Sequence, residues 1–257
     1  MKKTLSIITA AIVGAVITTT SASAVQYTYQ GEVGGLTIGL HTVNPQYPNA
    51  SFGVGTLNMT TTDSGWTSSL YTYCTDIGST LASTHAYQAY QIPPAQLGVN
   101  PTWQAGGIEK AAALYAINHS TSMTDVQRAG LQLAIWEVEN NTKTSYTAAD
   151  FFNTANTGFY ITSANSGNIA LAASYAAQIL NNVLGLSSSQ IAAYDQQVLW
   201  LAPVETVNGQ TKIQGSQGLF YSVPDVASSL FLLAIAIAAV AVLKKTFAAE
   251  QLTHCKA

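Results

Sequence analysis

Two residues in this chain have the side-chain types to make an internal electrophile. Cys74 lies in Tyr73-Cys74-Thr75-Asp76, and Gln132 opens Gln132-Leu133-Ala134-Ile135-Trp136, 58 residues further on. A thiol held against a side-chain carboxamide, with water excluded, can displace ammonia and leave a Cys–Gln thioester. Such a bond is an activated acyl group, able to pass its carbonyl to an amine on another molecule. The chemistry needs a dry site, because a thioester in contact with water hydrolyses.

The elements that must position the pair are legible around each residue. Cys74 ends an extended run from Ser68 that is rich in Tyr and Thr. Gln132 sits in the middle of a helical segment whose start is marked by Thr124, with Gln127 three positions later, the spacing of a capping box. The segment runs to about Asn140 and is apolar on most of its circumference, which predicts a buried helix. A glutamine inside such a helix must find hydrogen-bond partners or cost stability. Trp136, one turn on, and Tyr73 are positioned by sequence to shield the site. Departing ammonia needs a proton, for which Asp76 and His119 are the candidates.

An aromatic-Cys motif followed by Gln-apolar-Ala-apolar-Trp resembles the thioester domains of bacterial surface adhesins. The motifs cover residues 68–140, and Leu131 stands where the family often has Thr. The resemblance implies a β-sandwich or barrel with a helical part, bridged by a thioester between Cys74 and Gln132. It also implies a surface protein that attaches covalently to amine groups on a partner protein or polymer, without enzymatic turnover and without a cofactor.

Both ends read as membrane signals. Lys2 and Lys3 precede an apolar run from Leu5 to Ile17, and Ala22-Ser23-Ala24 is a small-x-small cleavage site. Cleavage after Ala24 makes Val25 the first residue of an exported protein. At the other end Val223-Pro224-Asp225 precedes an apolar stretch of 18 residues, Val226 to Leu243, followed by Lys244-Lys245. That length is the lower edge of what crosses a bilayer as a helix, and the lysine pair places its far end in the cytoplasm. A Val-Pro-acid motif, a short apolar helix and a basic cluster resemble the PEP-CTERM class of sorting signals, here in a VPD form with a longer tail than usual. The resemblance implies an exosortase-type processing enzyme as a partner. The expected organisation is a signal peptide over 1–24, an extracellular domain over 25–222, a sorting signal with a transmembrane helix over 223–245 and a cytoplasmic tail over 246–257.

Composition narrows the function further. Charged residues are 8% of the chain, against about 25% in an ordinary soluble domain. Between residues 25 and 223 four basic side chains face ten acidic ones, a net charge of −6. A role that depends on neutralising nucleic-acid phosphates is therefore excluded. The only lysines in that stretch are Lys110, Lys143 and Lys212, which limits self-reaction of an internal acyl donor. The second cysteine, Cys255, falls beyond the expected membrane span, so the two thiols are expected on opposite sides of a bilayer. A single exported cysteine reads as an intermolecular crosslink or as a thiol with chemistry of its own.

The remaining elements follow from pattern. Strands are expected at Val25–Tyr29, Gly35–His41, Phe52–Met59 and Ser68–Cys74, with a turn at Asp63-Ser64-Gly65. Prolines at 93, 94 and 101 argue against a long regular element between Ser79 and Gly107. Helices are expected at Ile108–Asn118, Ser166–Leu184 and Ser187–Gln196 beside the one that carries Gln132. Strands return at Val198–Ala202 and Gly218–Val223 around an Asn208-Gly209 turn. The fold class is α+β, with β-sandwich or barrel-like strands and a helical insertion.

Two readings compete with the thioester. Cys74 can be a packed small hydrophobe in a non-reactive surface or matrix protein. Cys74 with His41, His85 or His119 can form a hydrolase constellation, although no surrounding sequence supports one. The histidines lack metal-ligand spacing, so no metal site is expected. Sequons at Asn49, Asn58, Asn118 and Asn140 are ordinary in a chain this rich in Asn, Ser and Thr.

Overall fold

The extended runs at the start of the mature chain pair into one antiparallel sheet. The computed structural model describes residues 25–42, 48–63, 69–75, 77, 84–91, 106–155, 158–163, 167–207, 210–213 and 218–222. The signal segment with Ala24, the candidate Asp76, the sorting motif Val223, Pro224 and Asp225, and the C-terminal span with its tail lie outside the described residues.

Strand β1 runs from Val25 to Thr42 and pairs along most of its length with β2, Asn49–Thr60. Two separate strands were expected over this stretch of β1. They are joined because the register slips at Tyr29/Gly31 and Val33/Gly35, where a bulge absorbs the extra residue. Gly34 and Gly35 take φ values of 69° and 138° there, a region closed to most side chains.

β3 (Ser69–Cys74) follows, then β4 (Thr84–Gln91), which occupies part of the stretch where no long element was expected. The prolines that discouraged an assignment lie just beyond its end. Four helices come next: α1 (Gly107–Asn118), α2 (Asp125–Asn140), α3 (Gly167–Leu184) and α4 (Ser188–Asp195). A short 3-10 turn at Ala148–Phe152 and β5 (Phe159–Ile161) interrupt them, and neither was anticipated. The chain returns to the sheet as β6 (Val198–Val207), β7 (Gln210–Ile213) and β8 (Leu219–Ser222).

Among the described residues the fold is mixed α+β, with a large antiparallel sheet and four helices between β4 and β6. The sheet order is β2-β3-β8-β6-β4-β1-β5, with β7 on β6. Because β1 also pairs with β2, six of these strands form a closed circuit of hydrogen-bonded neighbours. Closure of this kind removes sheet edges.

Helix α2 is the hub between the layers, packing on α1, α3, β1, β2 and β3. Its start is the expected capping box: Gln127 N–H donates to Thr124 Oγ1 at 3.3 Å, and Thr124 N–H to Gln127 Oε1 at 2.9 Å. From Ala129 to Asn140 every residue is buried. Gly130 faces α3, and a Cβ there would meet the Ala172 carbonyl at 2.8 Å. Among the described residues no single helix is long and apolar enough to cross a membrane.

Candidate functional site

Cys74 is the last residue of β3, and its two edges are treated differently. On one edge Tyr73 and Cys74 pair with Phe220 and Leu219 of β8, and Thr75 N–H donates to the Gly218 carbonyl at 2.9 Å. On the other edge the ladder with β2 stops at the Leu57–Thr72 pair. Backbone groups alternate sides along a strand, so Cys74 turns its N–H and C=O toward the edge that β2 has just left.

The Gln132 side chain fills that place. Cys74 N–H donates to Gln132 Oε1 at 2.8 Å, and Gln132 Nε2 donates to the Cys74 carbonyl at 2.7 Å. A carboxamide has one acceptor oxygen and an N–H donor at the spacing of a peptide group. It therefore continues the ladder by one rung, delivered from a helix. Gln132 is 1% exposed and Cys74 is 7% exposed, so the junction is dry. The structure brings the two sequence-selected residues together across 58 positions of chain.

Alternation along β3 sends Tyr73 and Cys74 to opposite faces. Tyr73 faces the helices, edge-on to Tyr115 and His119 at ring distances of 5.8 Å each. Its hydroxyl accepts from Thr56 Oγ1 at 3.0 Å and donates to Met123 Sδ at 3.7 Å. Burial raises the Tyr73 phenol above its ordinary value, while the Thr56 hydrogen bond and the Arg128 charge pull it back. On the thiol face Tyr87 is fully buried, and its phenol is raised by burial first and by the nearby Cys74 second.

His119 is the C-cap residue of α1 and stacks on Tyr115 at 4.7 Å. Burial, then Arg128, lowers its pKa, so the imidazole is neutral near pH 7. Its ring contacts are with Tyr73 and Tyr115, one strand residue away from Cys74. Trp136 is buried, and the ring it meets edge-on is Phe159, at 6.2 Å.

Two contacts at the site have no local sequence signal. Trp200 Nε1 donates to Thr75 Oγ1 at 3.1 Å, joining β6 to the residue after Cys74 across 125 positions. Gly218 makes room for this contact, because a Cβ there would strike Trp200 Nε1 and approach Thr75 Oγ1 at 2.7 Å. Thr56 and Arg128, which lie behind Tyr73, were likewise not singled out by spacing.

Among the described residues no group of three or more His, Cys, Asp or Glu side chains could hold a metal ion. The junction holds a carboxamide bonded through both its polar atoms to the backbone of a residue whose thiol is buried. Comparison with protein families, with characterised proteins and with solved structures finds no match for this chain.

Proposed function

We propose that Cys74 and Gln132 form an internal thioester through which an exported surface protein attaches to amines on a partner protein or polymer. One observation carries the reading: a buried helix glutamine is held by both its polar atoms on the backbone of the only cysteine between residues 25 and 222.

The reaction follows from that geometry. Oε1 accepts the Cys74 N–H, which draws electron density from the carboxamide carbon and stabilises negative charge on the oxygen during attack. The sulfur–Cδ bond forms, the Cδ–Nε2 bond breaks, and Nε2 leaves as ammonia with the proton given up by the thiol. In the attachment step an amine nitrogen bonds to Cδ, the sulfur–Cδ bond breaks, and the thiol regains a proton. Gln132 stays bonded to the partner as an amide, and the protein is used once rather than turning over. Burial of the pair keeps water from hydrolysing the acyl group.

The motif resemblance, the barrel-like closure of strand pairing and the helices inserted between β4 and β6 support the same reading. Delivery to the cell surface rests on the N-terminal export signal, on the Val223-Pro224-Asp225 motif as the point of exosortase-type processing, and on the apolar segment behind it as a membrane anchor.

Intact mass tests the proposal. The purified protein should weigh about 17 Da less than its processed sequence, the mass of the ammonia lost on acylation. Methylamine should add to it, and Cys74→Ala should restore the full mass and abolish the adduct. Full sequence mass in the unsubstituted protein would instead leave a non-reactive surface or matrix protein, in which Gln132 is simply a well-satisfied buried amide.

A further inference from the structure

The Cys74–Gln132 junction has a parallel link one residue earlier on the strand and one helical turn earlier on α2. Arg128 stands four positions before Gln132, on the same helix face. Its Nη1 donates to Thr56 Oγ1 at 3.2 Å, and the Thr56 hydroxyl donates in turn to the Tyr73 hydroxyl at 3.0 Å. Tyr73 passes its own hydrogen to Met123 Sδ at 3.7 Å, and Arg128 Nε returns to the Met123 carbonyl at 3.1 Å. Arg128 Nη2 donates to the Thr121 carbonyl at 3.0 Å. The bonds close a ring through α2, β2, β3 and the loop before α2.

Each member has its direction set. A hydroxyl has a single proton to give, so Thr56 can serve both neighbours only by accepting from Arg128 and donating to Tyr73. The guanidinium is a rigid planar fork, which fixes three acceptors relative to one another in a way a lysine cannot. The first sheet strand is shaped to admit it: Gly34 has φ +69°, and a Cβ there would meet Arg128 Cδ at 2.9 Å.

We infer that Arg128 and Thr56 are positioning residues for thioester formation. They lock α2 to Tyr73, so that the Gln132 carboxamide is set on Cys74 before the bond forms. The inference rests on the thioester reading. Attack of a sulfur on an amide carbon is sensitive to placement, and an error of about 1 Å can cost on the order of a hundredfold in rate. Thr56 sits on β2 one residue before Leu57, the last ladder partner of β3, where the strand backbone no longer holds the register. The hydroxyl takes over that task through side chains.

The test follows the appearance of the 17 Da deficit with time after a pulse of synthesis of the full chain, using Thr56→Val, Thr56→Ser and Arg128→Lys. Thr56→Val keeps the shape and removes the hydroxyl, and is expected to slow formation about tenfold or more. Thr56→Ser should restore the rate, and Arg128→Lys should behave like Thr56→Val. Val183→Ala, in the buried face of α3, serves as a control that lowers the unfolding midpoint without changing the rate. A wild-type chain that never shows the deficit overturns the thioester reading itself. A wild-type deficit with Thr56→Val forming it at the same rate, or with Val183→Ala slowing it equally, overturns the positioning role alone.

Discussion

Among the polar side chains that helix α2 buries, Gln132 and Glu137 lie five residues apart and are held in opposite ways. Gln132 has both carboxamide atoms bonded to the Cys74 backbone. Glu137 is fully buried, and its carboxyl pKa is pushed up to about 7, chiefly by that burial. An amide can be buried at low cost because it carries no charge and matches a peptide group. A carboxylate has no such neutral match, and the interior holds it by keeping its proton. The first arrangement fixes the carboxamide in one place. The second makes the same helix sensitive to pH.

The largest expected effect comes from removing the amide. In a Cys74→Ala background, which rules out the proposed covalent link but keeps the backbone, Gln132→Leu leaves a buried N–H and a buried C=O without partners. At about 1–3 kcal/mol for each orphaned group the loss should total roughly 2–6 kcal/mol, read by urea unfolding. A loss below about 1 kcal/mol would show that the two bonds do not seat the helix.

The carboxyl side of the comparison is tested by pH. The Glu137 pKa rises from 4.5 to about 7 on folding, so the folded chain binds the proton more tightly. Its contribution to stability is complete below about pH 4.5, is lost as pH rises toward 7, and changes no further above that. The span corresponds to about 3 kcal/mol. Asp195 is shifted the same way, to about 7, by burial and then by Glu109. Glu137→Gln should therefore flatten about half of the fall in unfolding midpoint between pH 5 and 8, Asp195 carrying a comparable share. An unchanged slope would assign that pH dependence elsewhere.

Two smaller substitutions sharpen how α2 is seated. Gly130→Ala should raise helix propensity by about 1 kcal/mol. The new methyl, however, would press on the Ala172 carbonyl at 2.8 Å and on Tyr175 Cδ1, also at 2.8 Å. Overpacking of this kind costs about 1–3 kcal/mol, so the net result should be destabilising. A more stable Gly130→Ala protein would mean that α3 can withdraw without penalty. Tyr73→Phe removes the acceptor of the Thr56 hydroxyl and should cost about 1 kcal/mol in thermal or urea unfolding.

The helices were legible because their signals are local. Thr124 and Gln127 mark the start of α2, and α4 opens on a second such box, Ser187 with Gln190, which was not singled out by spacing. The strand that ends at Cys74 was legible for the same reason, whereas the expected Asn208-Gly209 turn lies outside the described residues. β4 was not, because the section around it was read as one mixed stretch and the nearby prolines dominated the reading. The union of two expected strands into β1 was hidden as well. Glycines that usually end a strand here carry bulges, and only pairing with β2 reveals that.

At the site, residue type and spacing selected Cys74 and Gln132, and apolar surroundings required the glutamine to find partners. Which partners it found was settled by tertiary structure. β2 leaves the edge of β3 after Thr72, and α2 crosses at the height where a carboxamide completes the missing rung. The contacts of Thr56 with Tyr73 and of Trp200 with Thr75 were settled in the same way. A sequence encodes the capping, periodicity and chemistry of each segment. Which backbone group faces which side chain depends on where strands begin and stop pairing, and that is a property of the assembled sheet and helices together.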